Sequence, residues 1–170
     1  MGAKIVKGAL DVDAGKWAIT VGDYKGPDIK EKTLMSWFSF QNNAVIKGSI
    51  LCIDKISGDH FDSIVYAERQ PNQWMAGSSH FRRTDDFKPG HKDTTKGEKF
   101  MMAITYKGDK TATVKGYRNG KNISGKGYEK GAMVTWEEDD AEAIWGKRHG
   151  NVGGGPGDLD GLIYESRIYG

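Results

Sequence analysis

The sequence predicts an all-β fold: a single domain over residues 1–170 built as a two-sheet antiparallel jelly-roll β-sandwich. Three observations lead there. Apolar residues spaced i, i+3, i+4, i+7 do not persist over any window of about eleven residues, so no amphipathic helix is expected. Short apolar runs closed by turn residues recur about every 8–15 residues, the spacing of a sandwich or jelly roll. The chain holds 24 glycines among 170 residues, about twice the usual share, as a turn-rich protein requires.

Taken in order, strands are expected over Ile5–Val12 and Trp17–Val21, each a short apolar run beside Gly. Thr33–Phe40 and Ser49–Asp54 follow, rich in aromatic and β-branched residues that suit a pleated surface. Ser63–Glu68, Gln73–Ala76 and His80–Arg83 are shorter and separated by Asn, Pro and Gly. Phe100–Lys107 is apolar at both parities, as a strand covered on both faces would be. Thr111–Tyr117 and Lys121–Ser124 flank Asn119-Gly120, and Asn-Gly between two strand-like runs predicts a two-residue type I′ hairpin. Ala141–Gly146 and Gly161–Tyr169 complete the set, the last a terminal strand that ties down the chain end. Lys-Gly occurs eight times, mostly at the ends of these runs, where Gly accepts a positive φ and Lys stays in water. Gly146–Gly157, with three consecutive glycines, reads as a mobile loop within the domain.

Composition excludes several functions. With 25 basic and 23 acidic residues the net charge is +2, without the basic excess that phosphate contacts demand, so no nucleic-acid partner is expected. No apolar stretch is long enough for membrane insertion. The single cysteine, Cys52, precludes a disulfide framework and a Cys-based zinc site, and its place in Ser49–Ile53 makes it a small buried hydrophobe. Residues 1–6 hold no apolar signal region, and both chain ends read as strands, which predicts a domain cut from a longer protein.

Three blocks carry a family resemblance. Thr33-Leu34-Met35-Ser36-Trp37-Phe38 opens a strand; Phe100–Lys121 reads FMMAITY and then YRNGK; Ala143–Arg148 is followed by Leu159–Tyr169. In this order, and with Gly8–Val21 as an opening strand pair, they resemble the laminin G-like, concanavalin A-like lectin/glucanase superfamily, in particular its bacterial jelly-roll branch. The resemblance implies a jelly roll placed outside the cell or at its surface. Tyr164 stands where that family carries an Asp before the Glu, which puts in doubt any cation support from that position. The resemblance also makes Ca²⁺ a candidate cofactor, since Asp11, Asp13, Asp158 and Asp160 fall in segments that relatives use near a cation. None of them forms a compact ligand loop, so no metal residues are assigned.

The four histidines have no Gly-x-Ser-x-Gly elbow beside them, and each is expected in a solvated or hydrogen-bonded surface role. Glu138, Asp140 and Glu142 would share one face of a strand, as the retaining glucanases of this superfamily arrange their carboxylates. Asp139 would then face the core, at a cost of several kcal/mol if unpaired, so a solvated acidic turn and no enzyme activity are expected. Sugar binding needs an aromatic face and a few fixed polar groups. Asn72–Thr84 supplies both, as do Trp145, Lys147, Arg148 and His149; Trp37 and Trp136 suit core or ligand equally, and a core place is open to Trp74 as well. Trp74, His80, Arg82 and Arg148 are therefore the expected ligand contacts, with His80 and Arg82 on one strand face and Phe81 turned to the core. Arg83 and Lys147 would extend the charged face. The expected function is a non-catalytic carbohydrate-binding module of a bacterial extracellular or surface protein, with a glycan or glycoprotein as partner. The alternative is a structural or adhesive domain that binds protein chains or self-associates.

Overall fold

The computed structural model describes residues 2–13, 15–42, 47–150 and 159–170. Two antiparallel sheets face each other. The larger runs β1 (Lys4–Val6), β2 (Ala9–Val12), β13 (Gly161–Tyr169), β4 (Lys32–Phe40), β8 (Phe100–Lys107), β9 (Thr111–Arg118) and β10 (Lys121–Asn122), with β11 (Tyr128–Ala132) also on β9. The smaller runs β3 (Ala18–Ile19), β12 (Ala141–Trp145), β5 (Gly48–Lys55), β6 (Phe61–Tyr66) and β7 (Trp74–Ser78). The terminal strand β13 pairs with β2 on one side and β4 on the other, so the last segment of the chain closes the sheet opened by the first. Among the described residues no helix is long and apolar enough to cross a membrane.

Alternation decides which side chains enter the core. On β4, Leu34 and Phe38 point inward, while Met35 and Trp37 lie half-buried on the outer face. Between the sheets Phe38, Phe40, Tyr66, Trp74 and Phe100 form one aromatic cluster, with ring centroids 4.6–6.4 Å apart, the separation at which edge and tilted pairs attract. Trp136 is fully buried, so of the two tryptophans left open by the sequence one is core and the other outward. Polar groups also enter the interior. Asp62 takes Lys32 Nζ at 2.8 Å and Arg83 Nε at 2.8 Å, with all three side chains out of solvent.

The strands β5, β6 and β7 are buried along nearly their whole length, on both faces. Their outer face carries a second, small cluster of Cys52, Phe61 and Ile144, flanked by Trp17 and Ile19. The segment after β12 lies across it: Cys52 Sγ donates to Arg148 O at 2.7 Å. Cys52 is a buried hydrophobe, as its sequence context implied.

Four expected strands are corrected, and one strand is added. Ile5–Val12 splits at Lys7-Gly8, whose φ values of 49° and 78° turn the chain back to pair β1 with β2. Trp17–Val21 contracts to Ala18–Ile19 and Lys121–Ser124 to Lys121–Asn122. Tyr128–Ala132 is a strand that its glycine-interrupted sequence concealed. His80–Arg83 is no strand: Ser79–Phe81 form a 3₁₀ turn. Most of the Gly146–Gly157 loop lies outside the described residues.

The Asn119-Gly120 turn is as predicted. Both residues have positive φ, 48° and 76°, Arg118 pairs with Lys121, and Asn119 Oδ1 accepts from Met101 N–H at 2.8 Å. A Cβ on Gly120 would meet nothing within 4 Å, so the cost of Gly120→Val comes from the backbone alone. It is expected to be at least about 1 kcal/mol, because a β-branched residue at positive φ is a steric outlier. Thermal unfolding measures it, and an unchanged midpoint would contradict this turn geometry.

Candidate functional site

Beyond β7 the chain cannot continue as a strand, because serine hydroxyls capture its backbone. Ser78 Oγ accepts from Arg83 N–H at 2.8 Å and lies 2.9 Å from Thr84 Oγ1, while Ser79 Oγ accepts from Phe61 N–H at 3.3 Å. Arg82 N–H closes the turn on Ser79 O at 3.1 Å. Within it His80 and Phe81 both take positive φ, 49° and 55°. For a bulky aromatic residue this is a costly backbone conformation. Its consequence is that Phe81 projects into solvent, 39% exposed.

This turn meets the segment that follows β12. Asp59, Phe61, Ser78, Ser79, His80, Phe81, Arg148 and His149 enclose a cavity of about 420 Å³. Two stretches that the sequence offered as separate sugar contacts, Asn72–Thr84 and Trp145–His149, thus form one site. His80 Nε2 lies 2.6 Å from Asp59 Oδ2, and His149 Nε2 lies 3.4 Å from Asp59 Oδ1, so one carboxylate spans two imidazoles. On its other side His149 Nδ1 is 2.5 Å from Asp54 Oδ1, and Gly150 N–H donates to Asp54 Oδ2 at 2.8 Å. Arg148 pairs with Glu68 and lies 5.9 Å from the Phe61 ring. Arg82 Nη1 lies 3.4 Å from His60 Nδ1 at the outer margin.

The carboxylates differ in environment. Burial pushes the Asp54 carboxyl up, against the pull of Gly150 N–H and His149. Burial and the charge of Asp54 likewise raise Glu142. For Asp59 the slight burial is outweighed by the hydrogen bond and charge of His80, which hold its carboxyl below the usual range. A ligand entering the cavity therefore meets an ionised acceptor, imidazole and guanidinium donors, and the Phe81 ring.

Three of the four expected contact residues gather here, His80 and Arg148 in the lining and Arg82 beside it. Trp74 does not. It is 2% exposed, packed among Phe38, Phe40, Tyr66 and Phe100 with Nε1 donating to Asp93, so it has no free face for a sugar. The aromatic ring exposed at this cavity is Phe81, which the expected strand alternation had turned inward. Arg83 is interior, held by Asp62, and leaves the charged face. His149 is buried, contrary to the surface role expected of it, because Asp54 supplies a carboxylate beneath it. Asp59 was missed: nothing in Gly58-Asp59-His60 signals a distant imidazole.

The acidic run resolves as a turn. Asp139 has φ 62° and is exposed, Asp140 accepts from Ser57 N–H and Oγ at 2.7 and 2.6 Å, and strand pairing begins only at Ala141. Glu138 and Asp140 therefore precede the strand on which Glu142 lies.

No protein-family model matches the chain, and no curated protein matches it in sequence. Solved structures do. A heptameric SAP-like pentraxin from Limulus polyphemus superposes over 93% of this chain and 73% of its own, with a TM-score of 0.62 and 10% identity. Mouse laminin α1 domains LG4-5 superpose over 99% of this chain and 43% of theirs, with a TM-score of 0.59 and 9% identity. The chain has the concanavalin A-like jelly-roll fold. A Trypanosoma rangeli sialidase also contains this jelly roll, with a TM-score of 0.60 and 16% identity over 98% of this chain. The chain spans about a quarter of that sialidase, 26% of its length.

Tyr164, where the resemblance led one to expect an Asp, is set at a bulge of β13 with its hydroxyl 3.0 Å from Ser39 Oγ and Lys99 Nζ 4.5 Å from its ring. Asp11 accepts from Gln41 Nε2 and Asp13 pairs with Lys16. Burial, then the charges of Asp13 and Asp11, raise the Asp160 carboxyl. Among the described residues no group of three His, Cys, Asp or Glu is arranged to hold a metal ion. Asp158 lies outside them.

Proposed function

We propose that the chain is a non-catalytic, lectin-like carbohydrate-binding module of a bacterial extracellular or surface protein, with its glycan seated at the His80–Phe81 cavity. The observation that carries this reading is the pair of consecutive positive-φ residues. Strained backbone persists only where the surrounding structure enforces it, and here it holds an aromatic ring at the mouth of a polar cavity instead of in the core. A sugar presents just this duality, an apolar ring face for Phe81 and hydroxyls for Asp59, His80, Arg82 and Arg148. The separation of Glu138 and Asp140 from the strand of Glu142 supports a binding role without hydrolysis. The concanavalin A-like fold is compatible with the reading but does not fix function.

A glycan array followed by calorimetry tests it. For a glycan so found, Phe81→Ala is expected to weaken binding about tenfold, roughly 1–2 kcal/mol of lost stacking, with little change in melting temperature because the ring is exposed. Arg82→Ala should weaken it less. Wild-type affinity in both variants would show that this cavity is not the site. An array without hits, together with concentration-dependent light scattering, would favour the adhesive alternative.

A further inference from the structure

We infer a second ligand site, a trough across the outer face of the eight-stranded sheet that takes an acidic, uronate- or sulfate-bearing polysaccharide. Strand register builds it. Tyr169 on β13 pairs with Thr33 on β4, Thr33 with Thr105 on β8, and Thr105 with Lys115 on β9, so these four side chains form one outward row. In the adjoining row Tyr117 stands beside the small Ala103. Two short hydroxyl side chains thus make a floor between Tyr169 at one wall and Lys115 with Tyr117 at the other, and the enclosed volume is about 580 Å³. Four adjacent strands make the trough about 14 Å across.

The lining chemistry selects the ligand. Threonine hydroxyls donate and accept, suiting sugar hydroxyls, and the tyrosines offer ring faces; Tyr169 is 45% exposed. Lys107 and Lys115 both reach the trough, and neither makes an ion pair among the described residues. One side-chain carboxylate, Glu31, also lines the trough, its Oε1 accepting from Gly108 N–H at 2.7 Å. With two ammonium groups against one side-chain carboxylate, the lining favours an anionic glycan over a neutral one. The site lies on the opposite sheet from the His80–Phe81 cavity and does not depend on that reading.

The test titrates the whole chain with polygalacturonate, dextran sulfate and uncharged dextran, following backbone amide shifts. Polygalacturonate and dextran sulfate are expected to shift amides of Thr33, Thr105, Lys115, Tyr117 and Tyr169 saturably, and dextran is not. The double variant Lys107→Gln/Lys115→Gln should lose at least about tenfold in affinity, the scale of one lost charge-assisted hydrogen bond. Thr105→Val, which removes only a hydroxyl, should weaken binding too. Lys7→Gln, on the β1–β2 turn of the same sheet, should leave it unchanged. The proposal is overturned by absence of saturable polyanion binding, by Lys7→Gln weakening it as much as the trough variants, by dextran binding equally well, or by shifts that arise from self-association. A cavity that fails its own glycan test while the trough variants behave as expected would refute the first site and leave this one standing.

Discussion

Asp62→Ala is expected to cost about 3–5 kcal/mol of folding stability, the penalty for breaking a buried ion cluster by removing one partner. Asp62 is the anion between two buried cations, Lys32 Nζ at 2.8 Å from Oδ2 and Arg83 Nε at 2.8 Å from Oδ1. Arg83 also donates to Phe61 O at 3.1 Å, and Lys32 lies 4.6 Å from the Tyr106 ring and 5.2 Å from the Trp136 ring. Those rings attract a cation but cannot replace a carboxylate. Without Asp62, Lys32 can shed its proton, for which burial has already lowered its pKa; Arg83 cannot. Lys32→Met leaves the Asp62 carboxylate paired with Arg83, so no buried charge is left uncompensated, and it should cost far less. Urea unfolding of both variants measures the difference. An Asp62→Ala protein within about 1 kcal/mol of wild type would show that the cluster is not held as described.

Trp74→Ala should be comparably severe, about 3–5 kcal/mol, as expected for emptying a large buried aromatic site. The ring is packed against four aromatic neighbours, and its Nε1–H is tied to Asp93, which also holds Arg118 at 2.7 Å. Trp74→Phe keeps much of the packing but removes one hydrogen bond to Asp93, which retains Arg118 Nε at 2.9 Å, so an intermediate loss of about 1–3 kcal/mol is expected. Folded Trp74→Phe should bind any glycan found for the His80–Phe81 cavity with wild-type affinity. Lost binding in a folded Trp74→Phe protein would return Trp74 to the ligand site and sink the core assignment.

Trp74 also shows where sequence reasoning stopped. Its neighbours Asn72, Gln73, Ser78 and Ser79 are polar, and sequence alone cannot say which parity of a strand faces inward when both faces are covered. β7 is buried along all five residues, so its pattern carries no alternation to read. The opposite error befell Phe81. Alternation through His80–Arg83 turned it inward, but hydroxyls of Ser78 and Ser79 take the backbone hydrogen bonds that a strand would use, and two positive φ values turn the ring out.

What the sequence determined by itself was local. Asn119-Gly120 specified its hairpin because few residues tolerate two consecutive positive φ values. Phe100–Lys107 and Gly161–Tyr169 were legible as strands, nearly residue for residue, because their β-branched and aromatic content admits little else. Two sheets then followed from apolar runs too short for helices. Only the tertiary structure decided the electrostatics. Arg83 became interior because Asp62, 21 residues away, supplied its counter-charge, and His149 became buried because Asp54 lies 95 residues earlier in the chain. Burial of a charge depends on whether a partner arrives from another strand to offset the loss of water, and that is a property of sheet order, which no local pattern of residues encodes.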